Sequence, residues 1–341
     1  MTKKLIETLN GKIFKHPPIW LMRQAGRYLP EYRKTRALAG GFLDLCFNSE
    51  LATEVTLQPI RRYNFDGSIL FADILLLPKA LGMNLWFETG EGPRLDSISE
   101  GFKITSLKNI NDIHEILQPI YKTVSNLASE LPKETTLIGF SGAPWTVATY
   151  MIAGRGSKDH SVSKEYMYKH KKDFDKLIEI LTLSTIEYLS EQIKAGAEVI
   201  KIFDSWAGAL YGSKMVEYSL EPIQKICQEL KRRYPTIPII VFPRGVGAGF
   251  LEFTKCEKLD CIAFDNSVPI KWAKDNLQSK KVIQGNLDPC LLVVGGDQMI
   301  TECDLLLETC ADGPYVFNLG HGITPDADPS NVDRLLEHIR K

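Results

Sequence analysis

The sequence predicts a single-domain (β/α)8 TIM barrel, an α/β fold of eight parallel strands, and three observations carry that expectation. Short β-branched and apolar runs, each stopping at a small or polar residue, recur eight times along the 341 residues. The stretches between the later runs have the three- and four-residue spacing of amphipathic helices. Near-continuous apolar strands alternating with such helices are buried on both faces. Eight of them in one uninterrupted series favour a closed barrel over an open doubly wound sheet.

Taken in order, the predicted strands are PPIWLMR (17–23), GSILFAD (67–73), TLIGFSG (136–142), EVIKIFDS (198–205), IPIIVFPRG (237–245), CIAFDNS (261–267), VIQGNLDP (282–289) and YVFNLGHG (315–322). Between the third and fourth, Phe174, Leu177, Ile178, Leu181, Thr185, Leu189 and Ile193 trace one face of a long helix, with Gly196 beyond it as the residue that ends it. Met215, Val216, Leu220, Ile223, Cys227 and Leu230 repeat the pattern before Pro235. Shorter helical patterns start at Pro269, run from Met299 to Cys310, and lead from Pro329 to the end. The longest insertions follow the first strand (24–66) and the second, where LGMNLWFETGEGPRL has the alternation and turn residues of a small hairpin. No linker, low-complexity tract or repeat interrupts the series, so one domain spans 1–341, with a short N-terminal extension over 1–16.

Composition narrows the function. Forty-one Lys and Arg against 42 Asp and Glu leave a formal net charge of -1, without the global field of a nucleic-acid coater or a membrane-surface binder. Mean hydropathy is -0.11. The N-terminus has no apolar signal region and no run approaches the roughly 18 apolar residues of a membrane span, so the expected location is the cytoplasm. Seven scattered cysteines without a CxxC pair indicate neither a disulfide framework nor a zinc ribbon, and read as small buried hydrophobes.

In a barrel of this kind the active site lies at the carboxyl ends of the strands. There the chain offers Arg23 with Arg27 four residues on, Asp73, Asp204 and Ser205, Arg244, Asp265 and Asn266, Asn286 and Asp288, and His321. Arg23, Arg27, Arg244 and His321 make a cationic rim on a nearly neutral protein. A guanidinium fork matches carboxylate or phosphate, which points to a polyanionic small molecule. The competing arrangement pairs the arginines with Asp73, Asp204, Asp265 or Asp288 in structural bridges. The light Gln24-Ala25-Gly26 spacer leaves Arg23 and Arg27 free to converge. His321 between two glycines implies a close backbone approach rather than side-chain packing. Asp73 fits either a helix N-cap or a ligand-binding carboxylate, whereas Tyr150 and Phe203 taken alone read as core.

Other chemistries find less support. The strand ends carry several Asp but no accompanying Glu for a glycosidase pair. There is no G-x-S-x-G elbow, no HExxH or grouped His and Cys for a metal, and no phosphate-binding P-loop. The glycine cluster from Gly245 to Gly249 reads as a tight turn.

The motifs themselves resemble a known family. PPIWLMRQAGRYLPEYR (17–33) and GFSGAPWTVATYMI (139–152) closely resemble the two signatures of the uroporphyrinogen decarboxylases. Supporting stretches are ILFADILLLPKALGM, FETGEGPR, KIFDSWAG, GNLDP and NLGHGI, in order from about residue 17 to residue 329. The resemblance implies a single-domain barrel that forms homodimers and uses no metal or organic cofactor. Such an enzyme converts the four acetate side chains of uroporphyrinogen III to methyls, giving coproporphyrinogen III on the path to haem. Carried onto matching positions, Arg23 and Arg27 would bind substrate carboxylates and Asp73 would face the centre of the macrocycle. Tyr150, Ser205 and His321 would surround the reacting acetate, and Phe203 would pack on the macrocycle. The implied catalytic set is Asp73, Arg23, Tyr150 and His321, with the proton donor open among the last three. Three departures stand out: Asn266 where Trp is expected after Asp265, Arg244 where Lys is frequent, and Ala72 before Asp73 where Ser is usual. The related cobalamin-linked methyltransferases need a His-x-Cys pair and a later Cys for zinc, which this chain lacks.

Overall fold

The computed structural model describes residues 3–88 and 92–341. Its framework is a curled sheet of seven parallel strands: β1 (Gly67–Ile69), β4 (Thr136–Gly142), β5 (Val199–Asp204), β6 (Ile239–Pro243), β7 (Cys261–Ala263), β8 (Val282–Leu287) and β9 (Tyr315–Leu319), in that spatial order. The remaining two, β2 (Leu85–Glu88) and β3 (Gly92–Leu95), form an antiparallel hairpin between β1 and β4 in the chain. That is the hairpin predicted from LGMNLWFETGEGPRL; its tip, at 89–91, lies outside the described residues. Every residue of the seven parallel strands is buried except Phe203, as strands covered on both faces must be.

Seven of the eight predicted runs are therefore strands, and the first is not. The 17–23 segment opens with two prolines, which have no N–H to give a ladder. It makes one isolated parallel bridge, Ile19 to Phe317, with the Phe317 N–H donating to the Pro18 carbonyl at 2.9 Å. On its other side the Asp66 N–H donates to the Ile19 carbonyl at 2.9 Å. Side chains supply the other attachments. Asn318 Oδ1 accepts from the Met22 N–H at 3.0 Å, and Gln24 Nε2 donates to the Gly67 carbonyl at 3.1 Å. The segment thus lies between β9 and β1 without joining either in a regular ladder, and the fold is an open seven-stranded curl rather than a strictly closed eight-stranded barrel.

The helices follow their periodicity. The long one runs Lys171–Lys194, with the predicted apolar face buried except for the half-buried Ile193, and Gly196 beyond it at φ +122°. The next is broken where the pattern was continuous: a short turn Ser213–Met215 leads into a π-helical turn, Val216–Leu220, before the regular helix Glu221–Arg233. Pro222 accounts for the break, since it cannot donate to the carbonyl a turn back. The insertion after the first run is helical (Pro30–Leu38, Phe42–Phe47, Ser49–Tyr63), and the N-terminal extension holds the helix Lys4–Leu9 with Leu5 and Leu9 buried. Six of the seven cysteines are buried, as expected; Cys290 is exposed. No helix among the described residues is long and apolar enough to cross a membrane.

Candidate active site

The chain bends sharply where the 17–23 segment ends. Arg23 has φ +61°, a left-handed conformation that a non-glycine residue keeps only when its surroundings impose it. Its side chain lies along Gly322, where an added Cβ would come within 2.5 Å of Arg23 Cδ. Gly320 is packed as tightly against the Asn266 backbone. His321 sits between these two contacts, so the close approach inferred from its flanking glycines is present on both sides.

His321 is half-buried, and its Nδ1 accepts the Gly322 N–H at 2.6 Å. That bond leaves the proton of the neutral ring on Nε2. Burial and then the charges of Arg244 and Arg23 hold its pKa down to about 4, against the opposing pull of Asp265. The ring is neutral at pH 7 and offers a donor, not a cation. The cationic rim expected from sequence is therefore made of arginine alone.

Asp73 follows β1. One carboxylate oxygen accepts the Leu75 N–H at 2.8 Å, immediately before the helix Leu76–Ala80; the other has no hydrogen-bond partner among the described residues. Burial raises its pKa, and the Leu75 N–H and the charge of Arg23 act the other way. Tyr150, half-buried on the helix Pro144–Ala153, is raised by burial; the Trp206 indole N–H opposes this, Asp73 adds to it and Arg23 opposes it. Arg23, Asp73, Tyr150 and His321 thus share one electrostatic neighbourhood. Phe203 stands edge-on to Phe140, ring centroids 5.6 Å apart, and to Phe242 at 6.2 Å, and Phe242 in turn faces His321 at 6.5 Å. These rings lie beside the polar groups, with the buried Lys201 Nζ 5.0 Å from the Phe203 centroid and 5.5 Å from that of Phe242. Ser205, half-buried at the end of β5, has no hydrogen-bond partner for its hydroxyl among the described residues.

Arg27 is the exception. Like Arg23 it is exposed, but its charge acts on Tyr32 and is not among the groups acting on Asp73, Tyr150 or His321.

The structural-bridge alternative fails for the arginines that matter. Among the described residues, Arg23, Arg27 and Arg244 make no ion pair; Arg33, Arg36 and Arg340 make none either but bond main-chain carbonyls, while Arg61, Arg62, Arg94, Arg232, Arg233 and Arg334 are paired. The candidate carboxylates are used otherwise. Asp204 accepts from the Thr146 hydroxyl at 2.5 Å and from the Ser219 hydroxyl. Asp265 holds the Gly245 N–H at 2.8 Å and the Ser267 N–H at 3.1 Å, and Asp288 holds the Cys290 N–H at 2.9 Å. A cavity of about 880 Å³ lies elsewhere, between the 270–278 region and the helix Gly296–Cys310; none of the seven site residues lines it.

The sequence placed Asp204 at a strand end, as a partner for an arginine, but did not show its bonds to Thr146 and Ser219. Trp206 and Asn318, whose amide fixes the 17–23 segment, were not singled out, because their contacts are distant in the chain.

Arg23, a half-buried Asp73, Tyr150 and His321 near the carboxyl end of a parallel sheet stand where α/β enzymes build their active sites. Comparison with known proteins makes this specific. The family described as "Uroporphyrinogen decarboxylase (URO-D)" matches residues 1–341, and the chain belongs to that family. A uroporphyrinogen decarboxylase from Jannaschia sp. is 58% identical over 338 residues, covering 99% of this chain and 98% of the relative. One from Ruegeria pomeroyi is 57% identical over 340 residues, covering 100% and 99%. Among solved structures, a methyltransferase from Methanosarcina mazei superposes with a TM-score of 0.79 at 19% identity, covering 99% of this chain and 97% of that one. At that identity the likeness concerns the fold alone.

Proposed function

We infer that this chain is a carboxy-lyase that decarboxylates uroporphyrinogen, converting the four acetates of uroporphyrinogen III to methyls and releasing coproporphyrinogen III in porphyrin and haem biosynthesis. The observation that carries the reading is the family match over residues 1–341. The unpaired Arg23, Arg27 and Arg244 support it, since an octacarboxylate supplies the anions they lack.

The chemistry suits the groups present. A proton adds to a pyrrole ring carbon beside the acetate, and the ring becomes a cation. The bond to the carboxylate then breaks, its electron pair enters the ring, and CO2 leaves an exocyclic methylene. That carbon takes up a proton to become methyl while the ring carbon gives one up, so each acetate loses CO2 and gains one proton. The pyrrole is its own electron sink, and the reaction asks for no metal or organic cofactor. Asp73, accepting pyrrole N–H bonds with its open oxygen, stabilises the cation as it forms. Arg23 and Arg27 hold substrate carboxylates, Phe203 packs on the macrocycle, and Tyr150, Ser205 and His321 surround the reacting acetate.

The proton donor is Arg23, Tyr150 or His321. A neutral His321 and a Tyr150 whose pKa is raised are both weak acids, which favours delivery by way of Arg23 from a substrate carboxyl or water. The 17–23 segment serves as the eighth stave of a barrel comprising the single domain 1–341, and the working form is a cytoplasmic homodimer. Incubation of the purified protein with uroporphyrinogen III, followed by chromatography of the oxidised products, tests the reading. Hepta- to tetracarboxylate porphyrins are expected; uroporphyrin alone would leave a carrier.

A further inference from the structure

Asp204 is fully buried at the end of β5, between Phe203 and Ser205. No charged side chain is among the groups acting on it. Its carboxylate receives two hydroxyl donors instead, Thr146 at 2.5 Å and Ser219. Arg244, the residue after the neighbouring strand β6, meets the main-chain carbonyl of Asp204 through its own backbone N–H at 3.1 Å. The Thr146 oxygen is used a second time, accepting the Trp206 N–H at 3.0 Å. The Trp206 carbonyl accepts the Trp145 indole N–H at 2.8 Å, and the Trp206 ring stands beside Tyr150, centroids 6.4 Å apart. One carboxylate therefore ties the first turn of the helix that carries Tyr150, the loop that carries Ser205 and Trp206, and the π-helical turn holding Ser219.

We propose that Asp204 is a positioning residue for the decarboxylation: as a carboxylate it fixes Tyr150 and Ser205 relative to one another, and its protonation releases them. Thr146 and Ser219 both donate to it in the charged state. A protonated carboxyl must itself donate, so one of the two hydroxyls has to accept instead of donating; when that is Thr146, its oxygen must serve the Asp204 proton and the Trp206 N–H together, which weakens the bond that places Trp206. Burial raises the group's pKa to about 6, against the Ser219 and Thr146 donors, which brings this change within reach of the pH range in which the enzyme can be assayed.

The proposal rests on the decarboxylase reading, and its test is the pH dependence of kcat and KM for uroporphyrinogen turnover in four variants. Wild type should lose kcat on an acid limb near pH 6. Asp204→Asn, locked in the uncharged state, should show kcat about 10- to 100-fold lower above that limb, flat through it, with KM little changed. Ser219→Ala and Thr146→Val each remove a donor to the carboxylate and should move the limb to higher pH by about one unit. Thr146→Ser, which keeps the hydroxyl, should return it. His160, packed on Trp206 with ring centroids 4.9 Å apart, Asp73 and the substrate carboxylates are present in every variant, so only the differences between variants report on Asp204. A limb unmoved by Ser219→Ala and Thr146→Val, or an Asp204→Asn enzyme with wild-type kcat and limb, overturns the proposal. An inactive wild type would instead overturn the decarboxylase reading itself.

Discussion

His321 shows how a single side chain can invert its expected role. Its burial and the adjacent Arg244 and Arg23 keep the imidazole neutral, with a pKa of about 4 against the ordinary 6.5. Because the folded value is depressed, the group contributes stability above pH 6.5 that is lost as pH falls through 4. An NMR titration of the ligand-free protein should place its midpoint near 4, and Arg244→Gln should raise it, since removing a positive charge favours the imidazolium. A midpoint near 6.5 in the native protein would refute the assignment. The sequence reached His321 through its flanking glycines but took it for part of the cationic rim, because the bond from the Gly322 N–H and the nearby guanidinium groups are products of the fold. Asp73 was legible as cap or ligand; the structure commits one oxygen to Leu75 and leaves the second available.

At the level of elements, the 17–23 segment couples the fold to the site. Arg23 reaches the cleft through a left-handed backbone and a side chain seated on Gly322. Gly322→Ala places a methyl 2.5 Å from Arg23 Cδ, so it should displace the guanidinium and raise KM several-fold. The accompanying stability cost should be about 1–3 kcal/mol, read from denaturant unfolding. An unchanged KM would mean that Arg23 does not depend on this seat. The helix Lys171–Lys194 was readable because its stability is written in local periodicity. The 17–23 run was misread as a strand because it has a strand's composition, while its two prolines make side chains such as Asn318 and Gln24 complete its hydrogen bonding. The π-helical turn at Val216–Leu220 went unseen for a related reason: apolar spacing continues through it, and Pro222 alone announces the break.

Across the whole molecule, a formal net charge of -1 conceals an uneven distribution. Many surface charges are paired, whereas among the described residues Arg23, Arg27 and Arg244 make no ion pair, and the charges of Arg23 and Arg244 act on His321. The order of the strands was legible because alternating apolar runs and helices leave few topologies open. The closure of the sheet was not, since it depends on contacts between residues about 300 positions apart, such as Ile19 and Phe317. The central claim is that this cleft binds a tetracyclic polyanion and that Asp73 meets the cation formed on it. Turnover and substrate retention of Asp73→Asn test that most directly. The account predicts a folded protein that still retains uroporphyrinogen but turns it over about 100- to 1,000-fold more slowly; near-normal turnover would contradict it.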